Sequence, residues 1–244
     1  MRSLLAGIAF LTRLPVGRMV AFDAEDVSRS AGWFPLIGAL LGATYAGAAW
    51  LLRGHLPVTV VAVLVVALDA VLTGALHFDG LADAADGFGG GKDVDDVLRI
   101  MRDHAIGSYG ATALILLVAL KAAAHAVLLP SPNWFGAVVL TPMLGRWAIV
   151  LLTGTLPYAR RSPSVVGGMK RSATIWGTAT VAALIGASRY GRGWAAAAAV
   201  LGVTLCFGAY SRRRIGGITG DVLGANLQLS ESAALIAFLW AGRP

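Results

Sequence analysis

Charge is what this sequence has least of. Asp, Glu, Lys and Arg make up 14% of its 244 residues, against about 25% in soluble globular domains. Acids are scarcer than bases, 13 against 20, which leaves a formal net charge of +7. The single cysteine, Cys206, lies inside an apolar run. That excludes a disulfide framework and a Cys-based metal centre, and Cys206 reads as a small packed hydrophobe. No fixed-period repeat and no low-complexity linker divides the chain. The basic excess is not interleaved with aromatics as nucleic-acid modules require, and it falls between apolar runs, so a nucleic-acid partner is excluded.

What is present is apolar length. Hydrophobic residues are 57% of the chain and the mean hydropathy is +0.73. A chain of this size cannot enclose so much apolar surface in a water-facing fold, and the lipid bilayer is its natural solvent. Apolar runs close to the ~17 to 25 residues that a span needs occur at 34–52, 58–76, 106–129, 134–156, 175–188, 194–210 and 223–240, the fifth short and the seventh carrying polar residues. The fold class is therefore all-α: a polytopic transmembrane helical bundle of about seven spans (six to eight), forming one integral membrane domain over residues 1–244. Abundant Gly and Ala suit close helix packing in lipid, and a homo-oligomer is compatible with such a bundle. Residues 1–17 resemble a signal peptide, but Arg13 interrupts the apolar stretch and no small-residue cleavage site follows. Leu4, Leu5, Ile8 and Leu11 fall at helical spacing, so residues 1–30 read as a retained interfacial segment beginning with a helix on the membrane surface.

Orientation follows from basic residues. With the N-terminus inside, the inner segments hold Arg2, Arg13, Arg18, Arg29, Lys92, Arg99, Arg102, Arg160, Arg161, Lys170, Arg171, Arg212, Arg213 and Arg214. The outer ones hold only Arg53, Arg189, Arg192 and Arg243. Fourteen against four predicts a multi-pass protein of the cell inner (cytoplasmic) membrane with a cytoplasmic N-terminus.

The few acids are clustered. Asp79, Asp83, Asp86, Asp93, Asp95, Asp96 and Asp103 put 7 of the 13 within 25 residues, in a cytoplasmic segment (77–105) that would carry the active site. If the helix of the second run continues through it, Asp79, Asp83 and Asp86 share an arc of about 60° at ~100° per residue. Three carboxylates on one face repel one another unless a cation sits among them. Carboxylate oxygens are hard ligands suited to Mg²⁺, or to Mn²⁺ in its place. These three are the candidate metal ligands. Asp93, Asp95 and Asp96 read instead as a solvated surface, with Asp95 and Arg99 at ion-pair spacing. His77 faces away from Asp79 and Asp86 and reads as a hydrogen-bonding partner rather than a ligand. The glycine-rich run at 87–91 offers backbone N–H groups to a phosphate, a weak signal by itself.

Two further polar islands, Met101-Arg102-Asp103-His104-Ala105-Ile106-Gly107 and Thr219-Gly220-Asp221-Val222-Leu223-Gly224-Ala225-Asn226, lie on the same predicted side. Asp103 and Asp221 have a plainer reading as helix N-caps. Arg146, Lys121 and Asp69 fall inside apolar runs, where charge is costly unless paired or functional. Lys121 and Asp69 can pair with each other, while Arg146 is a candidate for substrate phosphate.

The string His77-Phe78-Asp79-Gly80-Leu81-Ala82-Asp83-Ala84-Ala85-Asp86-Gly87 resembles the signature of the cobalamin (5′-phosphate) synthase family, adenosylcobinamide-GDP ribazoletransferase. Phe10-Leu11-Thr12-Arg13-Leu14-Pro15-Val16, Phe34-Pro35-Leu36-Ile37-Gly38, Met101-Arg102-Asp103 and the island at 219–225 are similar to further family segments in the same order. His104-Ala105 departs from the pattern, which often has Ser or Pro followed by a larger residue. The resemblance implies a Mg²⁺-dependent transferase of cobalamin (vitamin B12) biosynthesis. In that reaction the ribose 3′-hydroxyl of α-ribazole, or of its 5′-phosphate, attacks the phosphorus attached to adenosylcobinamide in adenosylcobinamide-GDP, and GMP leaves. It implies Asp86 or Asp103 as the base, with His77 in the catalytic set, and Arg102, Arg146, Gly107, Asp221 and Asn226 as substrate-binding residues. The rival readings are a CDP-alcohol phosphotransferase-like lipid enzyme, whose Ala-Arg step after the first Asp-Gly unit is replaced here by Ala82-Asp83, and a secondary transporter built on Asp69, Lys121 and Arg146.

Overall fold

The computed structural model describes residues 1–18, 21–160, 171–188 and 190–240. Arg161, Lys170, Arg189 and Arg243 of the orientation count lie outside them, as do the side chains of Arg18 and Arg171. Among the described residues the chain is helical, without a strand; one isolated parallel bridge joins Tyr158 to Ile218.

The N-terminal helix α1 (Arg2–Leu11) is followed by the short α2 (Ala24–Ser30), whose start is closed by a capping box between Asp23 and Asp26. A 3-10 turn leads into α3 (Phe34–Leu52), with Pro35 in its first turn, where a missing N–H costs nothing. Gly38 and Gly42 of α3 lie one turn apart against α8 (Trp134–Thr155); a Cβ on either would strike the α8 backbone at Pro142 or Val139. This is the small-residue contact that lets helices approach in lipid, where dispersion rather than water drives association.

The second apolar run does not continue as one helix. α4 (Val58–Thr73) stops at Gly74 and Ala75, which both adopt the left-handed conformation at φ 64° and 57°. The chain restarts as α5 (Leu76–Gly90), turned by 91°. Gly74 is required here twice over, because its φ suits glycine and a Cβ would collide with the Arg13 side chain. The Arg13 N–H also donates to the Leu72 carbonyl at 2.7 Å, tying the end of α1 to the break.

After α6 (Val94–Ile100) come α7 (Ser108–Leu128), α8, α9 (Arg171–Ser188), α10 (Arg192–Ile215) and α11 (Gly220–Trp240). Among the described residues five segments are long and apolar enough to cross a membrane: 24–52, α7, α8, α10 and α11. The bent pair α4–α5 makes a sixth if counted as one broken span. Two of the seven expected spans thus fall short. α4 has 16 residues because the left-handed pair ends it, and α9 is a shorter apolar helix. α8 and α11 are the most enclosed helices, while α7 and α10 expose most of their apolar surface.

α5 lies across one end of this bundle. Gly80 meets Gly224 and Asp221 at the start of α11, and Ala82 and Asp86 meet Gly110 at the start of α7. Phe88 packs edge-on against Phe207 and Tyr210 near the end of α10. The aspartate helix is therefore a crossbar over the ends of three helices.

Candidate active site

The crossbar sorts its residues by face. His77, Phe78 and Leu81 are buried against the bundle, Asp83 and Asp86 are half-buried, and Asp79 is exposed. The period of an α-helix alone produces this, since residues 77 and 79 differ by about 160° around the axis.

Asp86 does not point free into solvent. Its Oδ2 accepts from the Gly107 N–H at 2.7 Å and its Oδ1 from the Gly110 N–H at 2.8 Å. Gly107 is the N-cap of α7 and has no side chain to close that end. A carboxylate from another helix thus satisfies two donors of the first turn and complements the positive end of the helix dipole. A Cβ on Gly107 or Gly110 would strike this carboxylate.

Asp221 joins from α11. It pairs with Arg160, Nη2 to Oδ2 at 2.7 Å, and accepts from the Thr219 hydroxyl at 3.2 Å. The plainer reading of Asp221 as an N-cap does not hold. Thr219 does that work, its Oγ1 accepting from the Val222 N–H. Asp103 is not a cap of α7 either; it accepts from the Ala105 N–H two residues on and remains exposed, as does Arg102. Burial first, and then the charges of Asp79, Asp221 and Asp86, push the Asp83 carboxyl up to about 6. The charges of Asp79, Asp86 and Asp221 thus reach Asp83 across α5 and α11, and Arg160 pairs with Asp221. Burial and then the Arg146 charge hold the His77 imidazole neutral, lowered to about 3, and its Nδ1 has no hydrogen-bond partner.

Among the described residues no three His, Cys, Asp or Glu side chains converge closely enough to hold a metal ion by themselves. The donor chemistry suits a hard cation nonetheless. Mg²⁺ commonly takes one or two carboxylates and completes its shell with water and substrate phosphate. Asp79 and Asp83 are the pair with oxygens to give, since both oxygens of Asp86 are engaged by backbone.

Several expected partners are placed elsewhere. Arg146 has no accessible surface; it pairs with Glu231 at 2.5 Å and lies 3.9 Å from Asp69. Lys121 completes the group, at 3.0 Å from Asp69 and 2.6 Å from Glu231, as the pairing of Lys121 with Asp69 anticipated. Gln228 accepts from Lys121, and the Tyr45 hydroxyl donates to Asp69. Two formal positive and two formal negative charges from α4, α7, α8 and α11 balance around a cavity of ≈ 10 Å³, room for about one water. This is a bolt through the bundle, with no room for a transported solute. Asn226 is fully buried below the crossbar and donates to the Ala148 carbonyl at 3.3 Å.

Two surface readings are corrected. Arg99 pairs with Asp96, not Asp95, because the Asp93 cap starts α6 so that Asp96 lies one turn before Arg99. The glycine run 87–91 closes α5 rather than forming a nest of N–H groups. Its Phe88 and Gly91 carbonyls accept from Arg214. Arg160 entered the sequence reading as one basic residue of an inner loop, without its partner Asp221, and Glu231 was missed as a network residue. Glu231 had a signal: it is the one glutamate within the apolar run 223–240, a lone intramembrane acid in need of a cation.

The fold and site define a polytopic α-helical membrane protein with an acidic crossbar at one end of its bundle. The chain belongs to the cobalamin-5-phosphate synthase family, whose model matches residues 3–239. It is 40% identical to an adenosylcobinamide-GDP ribazoletransferase of Ralstonia nicotianae, the alignment covering 98% of this chain and 95% of that protein. A protein of the same description from Syntrophobacter fumaroxidans is 37% identical over 94% of this chain and 95% of its own. One from Sinorhizobium medicae is 40% identical over 96% and 94%. No solved structure matches the chain significantly.

Proposed function

We propose that this protein transfers the adenosylcobinamide phosphoryl unit of adenosylcobinamide-GDP to the ribose 3′-hydroxyl of α-ribazole or its 5′-phosphate, releasing GMP, at the cytoplasmic face of the inner membrane. The observation that carries the reading is that Asp79 of α5 and Asp221 of α11 line one pocket at the end of the bundle, with Arg160 paired to Asp221, in a chain that aligns end to end with ribazoletransferases. The family match takes the place of the CDP-alcohol reading.

The site residues divide the work. Asp79 and Asp83 would hold Mg²⁺, or Mn²⁺ in its stead, and the ion would neutralise charge on the diphosphate and the departing GMP. Arg160, at the rim beside Asp221, would meet a phosphate oxygen of the donor. Asp86 holds the start of α7 against the crossbar and keeps the other acids in register. Both its oxygens already accept hydrogen bonds, so the role of base falls to Asp103, the carboxylate left exposed four residues before Gly107. Chemistry of this type depends on positioning and charge stabilisation rather than on a covalent protein intermediate.

Purified protein in lipid nanodiscs, given adenosylcobinamide-GDP and α-ribazole 5′-phosphate, should release GMP with Mg²⁺ and stop when it is chelated. Absence of GMP release with Mg²⁺ present overturns the function; release undiminished by chelation overturns the metal.

A further inference from the structure

α8 and α10 end on the same side of the bundle, at the crossbar. The segments that follow them are joined there: the Ile218 N–H donates to the Pro157 carbonyl at 2.9 Å, and the Ala159 N–H to the Ile218 carbonyl at 2.8 Å. Between the two helices runs a groove of ≈ 750 Å³. Gly208 lets the helices approach at its base, since a Cβ there would strike the Leu152 side chain. Leu151, Leu201 and Leu205 line the walls. The hydroxyls among them are already engaged: Thr155 Oγ1 donates to the Leu151 carbonyl, and Thr204 Oγ1 meets Ser230 and Asn226. Arg212 and Arg213 line the crossbar end. Of three consecutive arginines, Arg214 turns to the crossbar and donates to the Phe88 and Gly91 carbonyls. Arg212 and Arg213 are exposed, and among the described residues their side chains have no hydrogen-bond or ion-pair partner.

The groove has the depth of one leaflet. From Leu201 to Arg213 the helix rises about 18 Å at ~1.5 Å per residue, and half of a hydrocarbon core is about 15 Å. Leu201, Leu205, Gly208 and Arg212 share an arc of about 60° at ~100° per residue, so one stripe of α10 is apolar along its length and cationic at its end. A basic residue at a helix C-terminus complements the dipole, but the dipole does not ask for an apolar groove beneath it. A free phosphate would leave the leucines bare, and a neutral lipid would leave the arginines unpaired. We propose that the α8–α10 groove binds one anionic phospholipid of the crossbar-side leaflet. An acyl chain lies along Leu201 and Leu205 and the headgroup phosphate meets Arg212 and Arg213, as acidic headgroups do in basic pockets between spanning helices.

The test needs no turnover. Full-length protein is placed in nanodiscs of equal parts phosphatidylglycerol and phosphatidylcholine with the same acyl chains. It is then released in the mass spectrometer, where the lipids it retains are counted. Wild type should retain the anionic lipid about tenfold over the neutral one, a ratio within reach of two arginines at a membrane surface. Arg212→Gln/Arg213→Gln should bring the ratio to about one, as expected when both charges are gone. Arg99→Gln removes an exposed arginine of α6 outside the groove and should leave the ratio within about twofold of wild type, since a salt-screened surface charge acts only locally. Leu205 is 62% exposed, so Leu205→Trp is tolerable to the fold while filling the groove, and it should strip the anionic lipid from the protein. Unchanged melting in phosphatidylcholine nanodiscs shows that each variant is folded. Millimolar inorganic phosphate should displace nothing; displacement would mark a phosphate site without a chain and overturn the proposal. Equal retention of the two lipids by wild type, or a preference that survives Arg212→Gln/Arg213→Gln, overturns it too. So does a lipid-free wild-type dimer that Leu205→Trp separates, which would make the groove an interface between copies.

Discussion

Asp86 and Gly107 belong to helices that run in different directions, yet the carboxylate of one closes the backbone of the other at 2.7 Å. The second oxygen does the same for Gly110, so α5 and α7 are fastened at one point by two charge-assisted bonds. Asp86→Asn replaces one acceptor by an amide that confronts an N–H donor. It should lower stability by about 1–3 kcal/mol, read as an earlier thermal transition in detergent, together with reduced GMP release. Gly110→Ala should act in the same direction, because its Cβ collides with the carboxylate. If both variants melt like wild type, the fastening is ornamental.

Asp83 and Asp95 form a matched pair for testing the carboxylate cluster. Asp83→Asn keeps size and removes charge where the other acids converge. Turnover should fall by about 10²-fold or more, as when a positioned charge-stabilising group is lost, with insertion and folding retained. Asp95 is exposed on α6, and Asp95→Asn should stay within about threefold of wild type, since it lies on an ordinary surface. GMP release across a Mg²⁺ titration gives both answers. Near-normal turnover for Asp83→Asn would move the metal elsewhere.

The bolt through the bundle predicts a rescue. Lys121→Met leaves Asp69 and Glu231 facing Arg146 alone, with one buried negative charge uncompensated. That should cost about 3–5 kcal/mol, seen as loss of folded protein on solubilisation. Adding Asp69→Asn restores neutrality, and the double variant should recover part of the loss. A double variant no better than Lys121→Met alone would show that hydrogen-bond geometry, not charge balance, governs the network.

Topology is checked by fusions. A reporter joined after Gly90 should read cytoplasmic and one within 130–133 external. An external signal at Gly90 places the crossbar on the wrong side of the membrane for this reading.

Much of this was legible in the sequence because lipid makes few structures viable. The apolar runs, the helix at 2–11 and the helical spacing of Asp79, Asp83 and Asp86 follow from composition and a 3.6-residue period. The right-angle turn was not legible. Gly74 alone is an ordinary helix terminator, but the turn also needs Ala75 in a left-handed conformation that alanine rarely adopts, which no residue type announces. Arg146 was visible as a buried charge, but its partner was not. Glu231 is 85 residues away, and nothing local says which helix it faces. The two oxygens of Asp86 were hidden for the same reason: their partners are backbone groups, which carry no side-chain signature.

The turn at Gly74 and Ala75 has a further consequence. Had α5 continued along α4, Asp79 and Asp86 would stand about 10 Å apart along the membrane normal at ~1.5 Å per residue, each at its own depth and with its own share of water. Laid flat, they stand at a common depth. Under the proposed function, a diphosphate lying along the crossbar would then meet Asp79 and Asp83 at one depth rather than at two.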